Sequence, residues 1–286
     1  MRIAGIICEY NPFHNGHAHQ LAVLREAGYA PVCVMSGDYV QRGEPAVIPA
    51  AARAEAAVRC GAALVLELPP SYALRSAEGF ARCGVEILDA LGVETLAFGS
   101  ESGETENFLC LASAMDTREY NAALRAALAS GQSYPAAREA AAKSLHLPGE
   151  LLKTPNNILG LEYCKAALGR RIRPAALHRA GDYHAPTPDA EAPSASSLRA
   201  VLEGNGDVSP FVPESAARRY ADAERHFPQY GERAMLARLR GMTPEDWART
   251  AHGSEGLWSL AMRAAQCCGT LQELESMVKS RRYPMT

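Results

Sequence analysis

Four short apolar runs, each followed by a polar or helical stretch, dominate the first hundred residues and narrow the fold more than any other feature. They lie at residues 3–8, 32–35, 64–68 and 95–98. Turn chemistry closes three of them: Asn11-Pro12 after the first, Pro69-Pro70 after the third, and Gly99-Ser100 after the fourth. Helical patterns fall between them at about 17–27, 50–60 and 76–91. Short apolar strands alternating with helices imply an α/β fold, a Rossmann-like parallel sheet with helices on both faces. Right-handed crossovers then bring the carboxyl ends of all the strands to one edge. Open sheets of this kind bind ligands at that edge, where the strand order reverses. The residues just past the strands, 9–17, 36–42, 67–69 and 99–101, are polar or glycine-rich and are expected to share one crevice.

The rest of the chain extends this plan. Residues from about 104 to 168 read as an alanine-rich helical insertion, its last helix opened by Pro155-Asn-Asn157. A fifth strand is expected at about 176–179, with His178-Arg179 at its end. Three prolines mark residues 185–193 as a loop. Ser194-Ala-Ser-Ser197 then offers cap chemistry for a helix around 198–202. The expected organisation is a nucleotide-binding domain over 1–205 and a smaller α-helical domain over 206–286.

The richest chemistry lies at the first strand-to-helix turn, Glu9-Tyr-Asn-Pro-Phe-His-Asn-Gly-His17. A helix N-terminus presents unbonded N–H groups and attracts anions. Gly16 lets the backbone approach a phosphate closely, because it carries no Cβ. His14 and His17, three residues apart, would share one face of a first helical turn and donate to phosphate oxygens. Two plainer readings stand beside this one: the histidines cap the helix, or they join His19 in holding a metal. The second reading lacks a carboxylate or cysteine at ligand spacing, and no metal is expected. After the second strand, Ser36-Gly-Asp-Tyr-Val-Gln-Arg-Gly43 is either a solvated loop or a substrate-binding one. In the latter case Arg42 would grip a phosphate or carboxylate with both arms of its guanidinium.

Composition removes several function classes. Hydrophobic residues make up 48% of the chain and charged residues 21%, which fits a folded protein. The net charge of −3 gives no global field for nucleic acid, so any RNA contact must come from a local patch. Arg170-Arg-Ile-Arg173, Arg218-Arg219 and Lys279-Ser-Arg-Arg282 are the available clusters, and each also reads as a solvated face. The eight cysteines are scattered without a Cys-x-x-Cys, so neither a zinc ribbon nor a thioredoxin-like site is indicated. No apolar run is long enough to span a bilayer, and Met1 leads straight into a strand. A cytoplasmic enzyme without membrane contact is the expectation.

Several of these segments also carry a resemblance. Gly5-Ile-Ile-Cys-Glu-Tyr-Asn-Pro-Phe-His-Asn-Gly-His17 resembles the opening of the bacterial tRNA(Met) cytidine acetate ligase family, within the HxGH nucleotidylyltransferase superfamily. Val34-Met-Ser-Gly-Asp-Tyr-Val-Gln-Arg-Gly-Glu-Pro-Ala46, Glu67-Leu-Pro69, Phe98-Gly-Ser-Glu101 and Pro155-Asn-Asn-Ile-Leu-Gly160 are similar too. So are His178-Arg-Ala-Gly-Asp-Tyr-His184, Ser194-Ala-Ser-Ser-Leu-Arg199 and Lys279-Ser-Arg-Arg-Tyr283.

The resemblance implies that ATP and acetate react to acetyl-adenylate. The acetyl group would then pass to N4 of the wobble cytidine of elongator tRNA(Met), giving N4-acetylcytidine. It further implies an ATP pocket from the segment Ile7 to Gln20, with Glu9, Tyr10, Asn11, Phe13, His14, Gly16 and His17 inside it, completed by Gly99, Asn157 and Arg179. As a hydroxyl at a helix N-terminus and a cation, Ser196 and Arg199 would add to the grip of Arg179 on the outer phosphates, with Mg²⁺ offsetting the triphosphate charge, although an ordinary helix cap explains the serine equally well. Ser36, Gly37, Gln41 and Arg42 are the expected substrate-binding residues. Arg218, Arg219, Lys279, Arg281 and Arg282 are the expected tRNA contacts. The competing functions are an adenylyltransferase for a small phosphorylated metabolite and a nucleotide- or RNA-binding module without chemistry.

Overall fold

Strand β1 (Arg2–Cys8) lies at the middle of a five-stranded sheet in the computed structural model, which describes residues 2–41, 43–178, 193–250 and 256–279. With β2 (Tyr29–Ser36), β3 (Leu64–Leu68), β4 (Thr95–Ser100) and β5 (Arg173–His178), the order is β3-β2-β1-β4-β5. Every pairing is parallel. Ile6 sits opposite Cys33 on one side of β1, and Ala4 opposite Thr95 on the other. The order therefore reverses between β1 and β4, where such sheets bind ligands.

The connections explain the two helical layers. Helices α1 (Asn15–Glu26) and α2 (Ala50–Arg59) link β1 to β2 and β2 to β3 in one direction. A four-residue helix, α3 (Pro70–Ala73), and then α4 (Ala77–Ala90) carry the chain back across β1 to β4. Right-handed crossovers in opposite directions place α4 on the other face from α1 and α2. Here Gly84 of α4 comes so close to β1 that a Cβ on it would lie 2.7 Å from Ile7 Cδ1. Phe80, Val85 and Leu88 of α4 are buried with Ile7, Val32 and Val34. Helices α5 (Thr105–Ala114), α6 (Arg118–Ala129), α7 (Tyr134–Ser144) and α8 (Pro155–Ala167) form the insertion. Its buried Phe108, Tyr120 and Leu161 join the same core cluster.

Two elements begin earlier than the sequence patterns predict. Strand β5 starts at Arg173 and includes Pro174, which an edge strand tolerates because it owes no ladder bond on its open side. Helix α9 (Ala195–Glu203) starts at once after Ser194, whose hydroxyl accepts the Ser197 N–H at 3.1 Å.

The domain boundary also lies later than expected. The first compact unit runs from Met1 to His226, not to residue 205. The reason is α10 (Glu214–Ala221), which packs on α2 and buries Ala216 and Tyr220. The second unit, Phe227–Thr286, holds α11 (Pro228–Arg240), α12 (Pro244–Ala248), α13 (Leu257–Cys267) and α14 (Leu271–Val278). Inside it, Arg240 donates to the carbonyls of Ala265 and Cys268 at 2.9 and 2.6 Å, which closes the carboxyl end of α13. No helix among the described residues is long and apolar enough to cross a membrane.

Candidate functional site

The turn after β1 is a helix start built from two imidazoles. His14 is the cap residue of α1 and is buried, with 1% exposure. Its Nδ1 accepts the Gly16 N–H at 3.1 Å, while His17 Nδ1 accepts the His14 N–H at 3.3 Å. The rings stack with centroids 3.7 Å apart. This reciprocal box explains why α1 begins at Asn15, ahead of the expected position near 17. It also fixes the tautomer. A ring nitrogen that accepts a backbone N–H is unprotonated, so each ring carries its proton on Nε2. Capping and phosphate binding are thus compatible: the caps use Nδ1 and turn each histidine into a donor through Nε2. His19 is exposed, and among the described residues no three His, Cys, Asp or Glu side chains gather as a metal-ligand set.

The rest of the turn is buried and held from several sides. Tyr10 adopts a left-handed backbone with φ 48°, a costly conformation for a bulky residue, of order 1–3 kcal/mol. Its ring packs edge-on to Phe13 at 4.9 Å and lies 4.7 Å from the His17 ring. Its hydroxyl reaches Cys33 Sγ at 3.5 Å. Burial pushes the Tyr10 phenol and the Cys8 thiol up, so both stay neutral. Asn11 Oδ1 accepts the Val47 N–H at 2.8 Å, and the Tyr220 hydroxyl accepts the Phe13 N–H at 3.1 Å. Arg199 Nη1 donates to the Asn11 carbonyl at 2.9 Å. Arg53, fully buried on α2, donates to the Glu9 carbonyl.

On the other side of the switch point, β4 and α8 are tied together. Ser100 Oγ donates to Asn157 Oδ1 at 2.9 Å and accepts the N–H groups of Ser102 and Gly103 at 3.1 and 3.2 Å. The Glu101 carboxylate accepts from Thr154 Oγ1 at 3.0 Å and Asn156 Nδ2 at 2.8 Å. These bonds bring the N-terminus of α8 to the carboxyl end of β4, beside Gly99. Two helix N-termini, those of α1 and α8, therefore serve one edge of the sheet, and both favour negative charge.

The other expected residues fall into place with some corrections. The Ile7 side chain lies in the core against Gly84, so only its backbone faces the turn. Ser36 is fully buried, and its hydroxyl has no hydrogen-bond partner among the described residues. The Ser36 and Gly37 carbonyls accept from Arg53, and the Gln41 N–H donates to Glu9 Oε1 at 2.8 Å. These groups brace the two loops against each other. Gly37 fits because a Cβ there would sit 2.3 Å from Glu67 Oε1. Gln20 is half-buried on α1, and Ser196 lies in the first turn of α9 with its hydroxyl 3.2 Å from that of Ser194. Arg199 grips the Asn11 backbone, which makes its first role the shape of the turn.

The basic clusters are partly neutralised. Arg170 pairs with Glu86 and Asp89, each at 3.2 Å. Arg218 pairs with Glu214, and Arg219 with Glu55 at 3.2 Å. Lys279 is exposed just after α14. Arg42, Arg179, Arg281 and Arg282 lie outside the described residues. Two residues that build the site carry no motif of their own: Arg53 and Tyr220. The one available signal was a lone arginine in the first turns of an alanine-rich helix, Ala50-Ala-Ala-Arg-Ala-Glu-Ala-Ala57.

Comparison with known proteins places this geometry. Residues 1–286 match the family model described as HIGH Nucleotidyl Transferase. The chain is 37% identical over 317 residues to the tRNA(Met) cytidine acetate ligase of Acetivibrio thermocellus. It is 36% identical over 305 residues to that of Bacillus subtilis. Each alignment covers 100% of this chain and 74% of the relative. Among solved structures, apo Thermotoga maritima TmcAL superposes with a TM-score of 0.91 at 32% identity, over 100% of this chain and 73% of that one. The same protein bound with alpha-thio ATP gives a TM-score of 0.87 at 32% identity, over 100% and 72%.

Proposed function

Because the chain belongs to the HIGH nucleotidyl transferase family and, within it, to the tRNA(Met) cytidine acetate ligases, we propose that it activates acetate with ATP. It then passes the acetyl group to N4 of the wobble cytidine of elongator tRNA(Met). An acetate oxygen attacks the α-phosphorus, and pyrophosphate leaves in line. The N4 amine then attacks the acetyl carbonyl, and AMP leaves. A wobble base sits in a single-stranded loop, so it can be splayed into a pocket and read on its edges.

The observation that carries this reading is the reciprocal capping of His14 and His17 at the switch point. Phosphoryl chemistry asks little covalent help of a protein; fixed donors where charge develops supply most of the rate. Two imidazoles locked as Nε2–H donors, beside the N–H groups of α1, are such donors. The nucleotide lies along residues 7–20, with Gly99, Asn157 and Arg179 closing its pocket and Ser196 and Arg199 near the outer phosphates. ATP enters as its Mg²⁺ complex, the ion held by phosphate oxygens and water. The loop of Ser36, Gly37, Gln41 and Arg42 flanks the acid. Lys279, Arg281 and Arg282 are the main tRNA contacts of this proposal, and Arg218 and Arg219, each paired with a carboxylate, are minor ones; it sets the reaction in the cytoplasm, where tRNA and ATP meet.

The test is incubation with ATP, labelled acetate and total tRNA, followed by nucleoside analysis. N4-acetylcytidine, with one AMP released per acetyl group transferred, is the expected product. Labelled pyrophosphate exchange that depends on a phosphorylated metabolite and not on acetate would overturn the reading.

A further inference from the structure

Arg53 is the largest fully buried side chain of the molecule's described residues, and it is a cation. Among those residues it makes no ion pair. Four of its five N–H donors instead go to backbone carbonyls. Nε donates to Ile48 at 2.8 Å, Nη1 to Glu9 and to Ser36 at 3.1 Å, and Nη2 to Gly37. Glu9 follows the end of β1, and Ser36 ends β2 with Gly37 just past it. These are the points where two neighbouring strands stop pairing and their loops part. A hydrophobic side chain would fill the space at lower desolvation cost, since a buried charge adds little net stability. What only a guanidinium supplies is a planar fork that reaches carbonyls on separate segments at once.

A second tie runs parallel to the first. The Glu9 carboxylate accepts the Gln41 N–H at 2.8 Å, so the residue is held to the second loop through both its carbonyl and its side chain. Ile48 O, the fourth acceptor, lies next to Val47, whose N–H binds Asn11 Oδ1. All the segments that Arg53 touches therefore also bond each other around the turn that carries His14 and His17.

We propose that Arg53 is a positioning residue that locks the loops after β1 and β2 into one body, so that the nucleotide and the acid are held in one relative geometry. Its effect on rate rests on the function proposed above; its effect on the loops does not. Reacting groups that must align lose rate steeply when misplaced, even where each still binds. Arg53→Lys keeps the charge but gathers its donors on one nitrogen, which cannot span both loops.

The test has two readouts on full-length wild type and R53K. In hydrogen–deuterium exchange, R53K is expected to lose protection in peptides covering residues 9–17 and 36–48 together, with the far-UV spectrum unchanged. In acetate-dependent ATP–pyrophosphate exchange, kcat per titrated active site is expected to fall at least about tenfold, while KM for ATP stays within about threefold. A purely structural role would lower the thermal midpoint and leave kcat per active site unchanged. That result, or unchanged protection in either loop, overturns the proposal. If wild type shows no acetate-dependent exchange, the functional reading fails, and the deuterium measurement still decides the role of Arg53. Should R53K not fold, Arg53→Gln takes the same measurements. If neither folds, Arg53 serves the whole sheet and the proposal is wrong.

Discussion

The turn after β1 and the arginine pair of α10 are both polar segments, and they are held in opposite ways. In the turn the carbonyls of Glu9 and Asn11, the Asn11 side chain and the Phe13 N–H each bond a different element. Tyr10, Asn11, Phe13 and His14 are all at most 3% exposed. On α10, Arg218 is 76% exposed and pairs with Glu214 one turn away. Breaking a buried bond strands its partner and costs about 1–3 kcal/mol, whereas an exposed ion pair is worth about 0–1 kcal/mol. The comparison teaches where this chain resists change. It holds one turn still with partners far apart in sequence, and leaves its basic surface loosely paired.

Removing a donor from the turn itself is the severest way to probe that contrast. His17→Ala deletes one Nε2–H donor and the acceptor of the His14 N–H. Acetate-dependent ATP–pyrophosphate exchange should fall about a hundredfold or more, as for other fixed donors to a developing charge. The cap loss alone costs about 1 kcal/mol, so the thermal midpoint should drop by only a few degrees. Unchanged exchange in a folded H17A protein would remove the histidine from the chemistry and leave it only as a cap.

A milder change acts on the turn from outside. Tyr220 is buried, with 3% exposure, and burial raises its phenol pKa, so the hydroxyl that accepts the Phe13 N–H stays protonated. Tyr220→Phe leaves that N–H buried without its acceptor. Stability should fall by about 1–3 kcal/mol by denaturant titration, and KM for ATP should rise more than kcat falls. A neutral Y220F would show that the turn does not need the support of α10.

These partners also mark how far the sequence could be read. The sheet was legible because its strands are short apolar runs between turn signals, and the crevice because parallel strands end on one edge. His14 and Gly16 were legible because their spacing implies a helix start. Tyr220 and Arg53 were not, since nothing local distinguishes a tyrosine after two arginines, or an arginine among alanines, from a solvated one. Their roles depend on packing between α10 and α2, and between α2 and the strand ends, which no spacing encodes. The boundary expected at 205 likewise comes before the end of the first compact unit at His226, because Tyr220 packs back into that unit. Residue spacing also left open whether the histidines cap or bind, when capping through Nδ1 does not exclude binding through Nε2.

The smallest effect is expected at the basic surface. Around α10, Arg59, Arg218 and Arg219 are matched by Glu55, Glu214 and Asp222, three charges of each sign, so the patch has no net charge to draw in phosphates. RNA affinity grows with the number of phosphates a protein neutralises, and each contact adds to the salt dependence of binding. The double variant R218A/R219A should therefore weaken tRNA binding by less than about threefold and change the log–log salt slope by less than about one. A loss beyond about tenfold, with a slope shallower by about two, would show phosphates displacing Glu214 and Glu55 from the arginines. The loose pairing of α10 would then be its means of exchanging a carboxylate for an RNA phosphate, and the contrast with the fixed turn would become one between holding a reactant and docking a partner.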